Sequence, residues 1–123
     1  MSSEHAQQTQ LFNILRLYED KYPMLKWIFA IPNGGHRHIA VAKRMKAEGV
    51  KAGVWDLMAC IPVGNFAGMF VEMKYGKNKL TKSQQEFRYG LRGYYKFEVC
   101  YSAIEACHAI GEYLDIRELK EIE

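Results

Sequence analysis

The sequence predicts a mixed α/β domain: a small central sheet flanked by helices. Three observations point there. Apolar residues near the N-terminus recur at helical spacing. Two short runs in the middle of the chain are apolar on both faces, as strands buried within a covered sheet are. Two capping boxes open helices on either side of an alternating, strand-like run. At 123 residues the chain has the size of one domain, so residues 1–123 are expected to form a single unit around one core.

Ser3 is a suitable N-cap, and Leu11, Ile14, Leu15 and Tyr18 follow at helical spacing, which predicts a helix over 4–20. Lys26 to Ile31 reads as a strand, and Pro32-Asn33-Gly34-Gly35 as a loop. Residues 38–48 read as a helix closed by Gly49. Residues 54–61 and 68–74 read as two strands of a hairpin joined by Pro62 to Ala67. Thr81-x-x-Gln84 and Ser102-x-x-Glu105 have capping-box form, and Tyr95 to Tyr101 alternates between them as a strand does.

Hydrophobic residues make up 49% of the chain and charged residues 25%, which excludes a disordered protein. No apolar run is long enough to span a membrane. Met1 to Gln10 is polar and lacks the apolar core of a signal peptide, so the expected compartment is the cytoplasm. Cys60, Cys100 and Cys107 are then expected to be reduced packing residues, and Cys107-His108 matches no zinc spacing. The net charge of +3 conceals an asymmetry. Residues 1–104 hold fifteen Lys/Arg against eight Asp/Glu, and residues 105–123 hold two against six. A basic body with an acidic tail from about residue 112 suggests a polyanionic partner.

The hairpin concentrates the chemistry. Its strands have no solvated side, yet Asp56 opens the first, and Glu72 and Lys74 close the second. With the loop centred on Gly64, Asp56 falls directly opposite Glu72. Opposed residues share a face, with Cβ atoms about 4.5–5.5 Å apart, and Lys74 lies two residues further on that face. A divalent cation with hard oxygen ligands would relieve the repulsion between such carboxylates. The alternative is that both are solvated strand-end residues, with Glu72 paired to Lys74 or Lys26. A register shift of one residue would separate the carboxylates to opposite faces.

Asp56, a hairpin, then Glu72-Met73-Lys74 resembles the D…(D/E)xK signature of the PD-(D/E)xK nuclease superfamily. The flanks are more specific. Ile31-Pro32-Asn33-Gly34-Gly35-His36-Arg37, the helix to Gly49, Gly53-Val54-Trp55-Asp56-Leu57, and Leu80-Thr81-x-x-Gln84 after the ExK strand resemble the virus-type replication-repair nuclease (VRR-NUC) domain. The resemblance covers residues 4 to about 110. It implies a restriction-endonuclease-like fold and Mg²⁺- or Mn²⁺-dependent hydrolysis of DNA phosphodiesters. It implies Asp56, Glu72 and the Met73 carbonyl as metal ligands and Lys74 as the catalytic lysine. Gln84 matches the family's glutamine after the ExK strand, and Glu4 the acidic residue of its first helix. Trp55 departs from the pattern, which has proline before the aspartate; it is expected to pack in the core rather than to offer a stacking surface. Short members of the family resemble Holliday-junction resolvases, which implies branched DNA as substrate and a homodimer placing two sites on it.

Other residues have two readings each. Gln84 completes a capping box whether or not it serves a site, and Glu4 suits a helix first turn on dipole grounds alone. Asn33, Gly34, Gly35, His36 and Arg37 either turn the chain or contact DNA through backbone N–H groups and basic side chains. Lys77, Lys79 and Lys82 lead out of the proposed site, which suits backbone contact without sequence readout. Tyr75, Tyr94 and Tyr95 are expected to pack. Leu11, Ile14 and Leu15, and Leu114, Ile116, Leu119 and Ile122, are candidate apolar surfaces for a dimer; the alternative is packing in the protein's own core. Two other functions stay open at this level: a non-catalytic nucleic-acid-binding module of the same fold, and a nuclease acting on RNA or single strands.

Overall fold

The computed structural model describes residues 3–32 and 38–123. Helix α1 (Glu4–Tyr18) opens where Ser3 Oγ accepts the N–H of Ala6 at 3.1 Å. Pro23 starts a single 3₁₀ turn, Pro23–Trp27, and strand β1 follows as Ile28–Ala30. The strand expected from Lys26 is thus shorter, because the proline-led turn takes Lys26 and Trp27. Helix α2 (Ile39–Ala47) is capped by His38, and Gly49 after it has φ +104°, the left-handed conformation expected of a closing glycine. No residue of α2 is buried.

Strands β2 (Leu57–Ala59) and β3 (Gly68–Met73) are antiparallel, and β4 (Tyr95–Cys100) runs parallel to β3. Helix α3 (Lys82–Leu91) provides the crossover that a parallel pair needs. The sheet order is β1-β2-β3-β4, so the doubly apolar strands are the two inner ones. Every residue of β3 is buried.

The two faces of the sheet are covered differently. Leu57, Ala59, Met69, Val71 and Met73 point into the main core, which α1 and α4 (Ala103–Leu114) close with Leu11, Leu15 and Ile110. Phe70 and Phe97 point to the other face and meet Phe87 of α3 edge-on, at 5.0 and 6.0 Å between ring centroids. Cys100 and Cys107 are buried, and burial pushes their thiols up to about 12 and about 11. Cys60 is exposed, so only two of the three cysteines pack.

The acidic tail does not form the single helical stripe expected from its apolar spacing. Asp115 takes a left-handed conformation (φ 56°) that ends α4, and the short α5 (Arg117–Lys120) folds back. Ile116 and Leu119 are thereby buried in the core, and Leu114 and Ile122 pack against it. Leu11 and Leu15 are equally buried. The residues considered for a dimer surface therefore serve the protein's own core.

The fold-back relies on Gly111. A Cβ there would stand 2.7 Å from the backbone nitrogen of Lys120. Gly111→Ala is expected to destabilise the protein by about 1–3 kcal/mol, the usual range for overpacking against rigid backbone. Urea unfolding of the variant and the wild type measures it.

Candidate active site

In the β2–β3 ladder Leu57 pairs with Val71, Met58 with Phe70 and Ala59 with Met69, which continues to Asp56 opposite Glu72. This is the register expected from the sequence, reached by a different turn. Val63 and Phe66 exchange both backbone hydrogen bonds around Gly64-Asn65. Between that bridge and the ladder, Cys60, Ile61 and Pro62 face only Ala67 and Gly68. The one extra residue on the first strand behaves as a bulge and brings the carboxylates back to one face.

Each acidic residue grips the backbone of the opposite strand. Glu72 Oε1 accepts the N–H of Asp56 at 3.0 Å, and Asp56 Oδ2 accepts the N–H of Met73 at 3.1 Å. Glu72 Oε2 accepts from Gln84 Nε2 at 2.9 Å and lies 3.4 Å from Lys74 Nζ. Of the cations considered as partner for Glu72, it is Lys74 that pairs with it. Asp56 Oδ1 accepts no hydrogen bond from the described residues. Carboxylate oxygens of Glu4, Asp56 and Glu72 lie within 4.8 Å of one another. The N-terminal turn of α1 thus adds a third acid to the pair.

Burial dominates the electrostatics. Glu72 is 2% exposed and Lys74 7%. Loss of solvent, then the Asp56 charge, pushes the Glu72 carboxyl up to about 7. Asp56 is also raised, by burial first and by the nearby Glu4 charge, against the Met73 N–H that favours its ionised form. Three acids held this close, with one lysine among them, form a hard-oxygen donor set suited to a divalent cation.

Gln84 resolves its two readings by performing both. Its amide oxygen accepts the N–H of Thr81 at 2.9 Å, completing the capping box, while its amide nitrogen donates to Glu72. Met73 contributes a backbone N–H to the cluster, while its side chain is buried on the opposite face. Lys77, Lys79 and Lys82 are exposed, and among the described residues none of the three forms an ion pair. Asn33, Gly34, Gly35, His36 and Arg37 lie outside the described residues. Of the three tyrosines expected to pack, Tyr95 does so against Phe70, but Tyr75 and Tyr94 are exposed.

Two positioning roles were not legible in the sequence, although Trp55 packs in the core as expected. Trp55 is fully buried; its indole N–H donates to the Gln84 carbonyl at 3.0 Å, and its ring meets Phe97 edge-on. Gly53 has φ +90°, and a Cβ there would lie 2.4 Å from the Ser83 carbonyl oxygen. The segment before Asp56 therefore clamps the start of α3, which delivers Gln84 to Glu72. No local pattern signals contacts across 29 residues of chain.

No family model matches the chain, and no curated protein matches it. Among solved structures, one titled "VRR_NUC domain protein" shares the fold, with a TM-score of 0.67 and 23% sequence identity over 87% of each chain. The mixed α/β fold expected from the sequence is that of a VRR-NUC domain. Among the described residues no helix is long and apolar enough to cross a membrane.

The raised Glu72 carboxyl gives stability a definite pH dependence. Between the ordinary value of 4.5 and about 7, the folded protein binds more protons than the unfolded chain. Stability in the presence of a chelator is therefore expected to fall as pH rises through that window, by on the order of 3 kcal/mol at most. Glu118 has the opposite sign: hydrogen bonds from Lys21 and Tyr22 hold it down to about 2, so its contribution is lost only as pH falls below 4.5. Urea unfolding at pH 5 and pH 8, with Glu72→Ala as reference, tests the assignment. Equal slopes for variant and wild type would contradict it.

Proposed function

We propose that this chain is a divalent-metal-dependent DNA endonuclease of the VRR-NUC type, with residues 1–123 forming one nuclease domain. One observation carries the reading: Glu4, Asp56 and Glu72 converge within 4.8 Å on a covered sheet, with Lys74 3.4 Å from Glu72. The solved VRR_NUC structure supports it through the shared fold.

Asp56 and Glu72 would hold the cation, Mg²⁺ or Mn²⁺, with Glu4 alongside and the Met73 carbonyl as a further ligand. Held there, the cation would supply activation of a water and charge neutralisation at the scissile phosphate. Lys74, tethered at Glu72, places a positive charge beside the reacting phosphate. Gln84 fixes the Glu72 carboxylate, and Trp55 and Gly53 fix Gln84. Lys82 stands in the first turn of α3, where a cation opposes the helix dipole. That position is poor for the helix and good for a phosphate. With Lys77 and Lys79 it would contact the DNA backbone, and Asn33, Gly34, Gly35, His36 and Arg37 are proposed as further DNA-contacting residues.

The preferred substrate in this reading is branched DNA, such as a flap or four-way junction, cut in the cytoplasm by a homodimer carrying two sites. With Leu11, Leu15 and the tail committed to the core, exposed Trp27 and Phe29 at edge strand β1 offer an apolar surface for a second copy. Light scattering is expected to give twice 14.3 kDa. A monomer mass with efficient junction cleavage would overturn the two-site arrangement.

Asp56→Ala and Glu72→Ala are expected to abolish cleavage of a duplex, flap and junction panel in Mg²⁺ or Mn²⁺ while remaining folded, because each removes one of three clustered, mutually repelling acids. Wild-type turnover by either variant would refute the site. Duplex affinity should fall with salt, at about −0.9 in log–log slope for each neutralised phosphate, and differ little between unrelated sequences. A flat salt response would contradict backbone contact through the lysines.

A further inference from the structure

Helix α3 has a second surface, of which only Lys82 enters the reading above. Phe87 faces the sheet and Gln84 the acids, while Lys82, Gln85, Arg88, Tyr89 and Arg92 border an open hollow of about 710 Å³ on the outer side. Tyr89 is 67% exposed. The Arg92 guanidinium lies 3.8 Å from the centroid of its ring and donates to the Tyr89 carbonyl, so the ring is held in place. Among the described residues, Lys82, Arg88 and Arg92 form no ion pair with a carboxylate. Glu86 is the one acid on the rim, so the hollow is net positive.

The geometry points to a stacking platform: Tyr89, braced by Arg92, takes an unpaired nucleobase of the DNA strand that leaves the candidate active site. Charge complementarity argues for this occupant, and so does continuity. Gln84, Arg88 and Arg92 form one i, i+4, i+8 row along the helix. That row leads from the residue bonded to Glu72 to the residue bracing Tyr89. Tyr89 stands about 7.5 Å along the axis and about 140° around it from Gln84, on the outer side, where the end of the row braces it. An exposed aromatic ring between basic side chains is how sequence-tolerant single-strand binding is built. A fully paired duplex has no free base face to offer. The platform would therefore select DNA with unpaired nucleotides next to the cut. This deepens the nuclease reading, on which the position of the scissile phosphate rests.

The test uses the full chain in chelating buffer with a single-stranded DNA oligonucleotide carrying 2-aminopurine, and a duplex of the same length. Wild type is expected to quench the fluorophore. Tyr89→Ala should lose the quench and weaken single-strand binding about 5- to 150-fold, the range for removing one stacked base. Tyr89→Phe keeps the ring and should stay within about twofold of wild type. Duplex affinity should change by less than about twofold in either variant. Unchanged single-strand affinity in Tyr89→Ala, or equal losses on single strand and duplex, would overturn the platform. Cleavage of the DNA panel by wild type in Mg²⁺ or Mn²⁺ separates the two readings. Cleavage without Tyr89 dependence leaves the nuclease and removes the platform; Tyr89-dependent quenching without cleavage does the reverse.

Discussion

The pairing register of β2 against β3 is the constraint on which the site depends. Side chains alternate along a strand, so a slip of one residue would send Asp56 and Glu72 to opposite faces. Two features hold the register. The Val63–Phe66 bridge closes the turn, and the extra residue among Cys60–Pro62 offsets it. The acids then reinforce it themselves, each accepting a hydrogen bond from the opposite strand. A site that binds its own scaffold in this way is preorganised.

That preorganisation opposes stability. Glu72 is buried beside a second carboxylate, and only one lysine shares the space. The Asp56 N–H and the Lys74 ammonium favour its ionised form, but burial and the Asp56 charge outweigh them. The apo protein thus holds a carboxyl that resists ionisation near neutral pH. A cation would reverse the balance, because it supplies the charge the site lacks. The cost is borne by a sheet whose inner strands are covered on both faces.

Helix α3 joins several functions in ten residues. Its capping box starts it, Phe87 docks it on Phe70 and Phe97, and Gln84 extends from the cap to the acids. Trp55 and Gly53 press on its first turn from the segment that ends in Asp56. Both sides of the site are therefore tied to one helix end. The outer face of the same helix remains free for Lys82, Arg88 and the Tyr89–Arg92 pair.

The sequence by itself determined what depends on near neighbours. Ser3, Thr81 and Ser102 opened the helices they were expected to open, since caps are settled within four residues. The doubly apolar strands became the inner strands because only a covered position suits them. The opposition of Asp56 and Glu72 was legible because a hairpin makes its pairing local. Tertiary structure decided the rest. The expected turn centre on Gly64 was half a residue off, and a bulge absorbed the difference. The tail's stripe broke at Asp115, because burying both Ile116 and Leu119 required the chain to reverse. Gln84 read equally well as a cap or a site residue until the fold placed Glu72 within reach of its amide nitrogen. Glu4 met the hairpin acids across more than fifty residues, and Trp55 met Gln84 across 29. Such contacts follow from how helices stack on a sheet, and packing of that kind leaves no periodic trace along the chain.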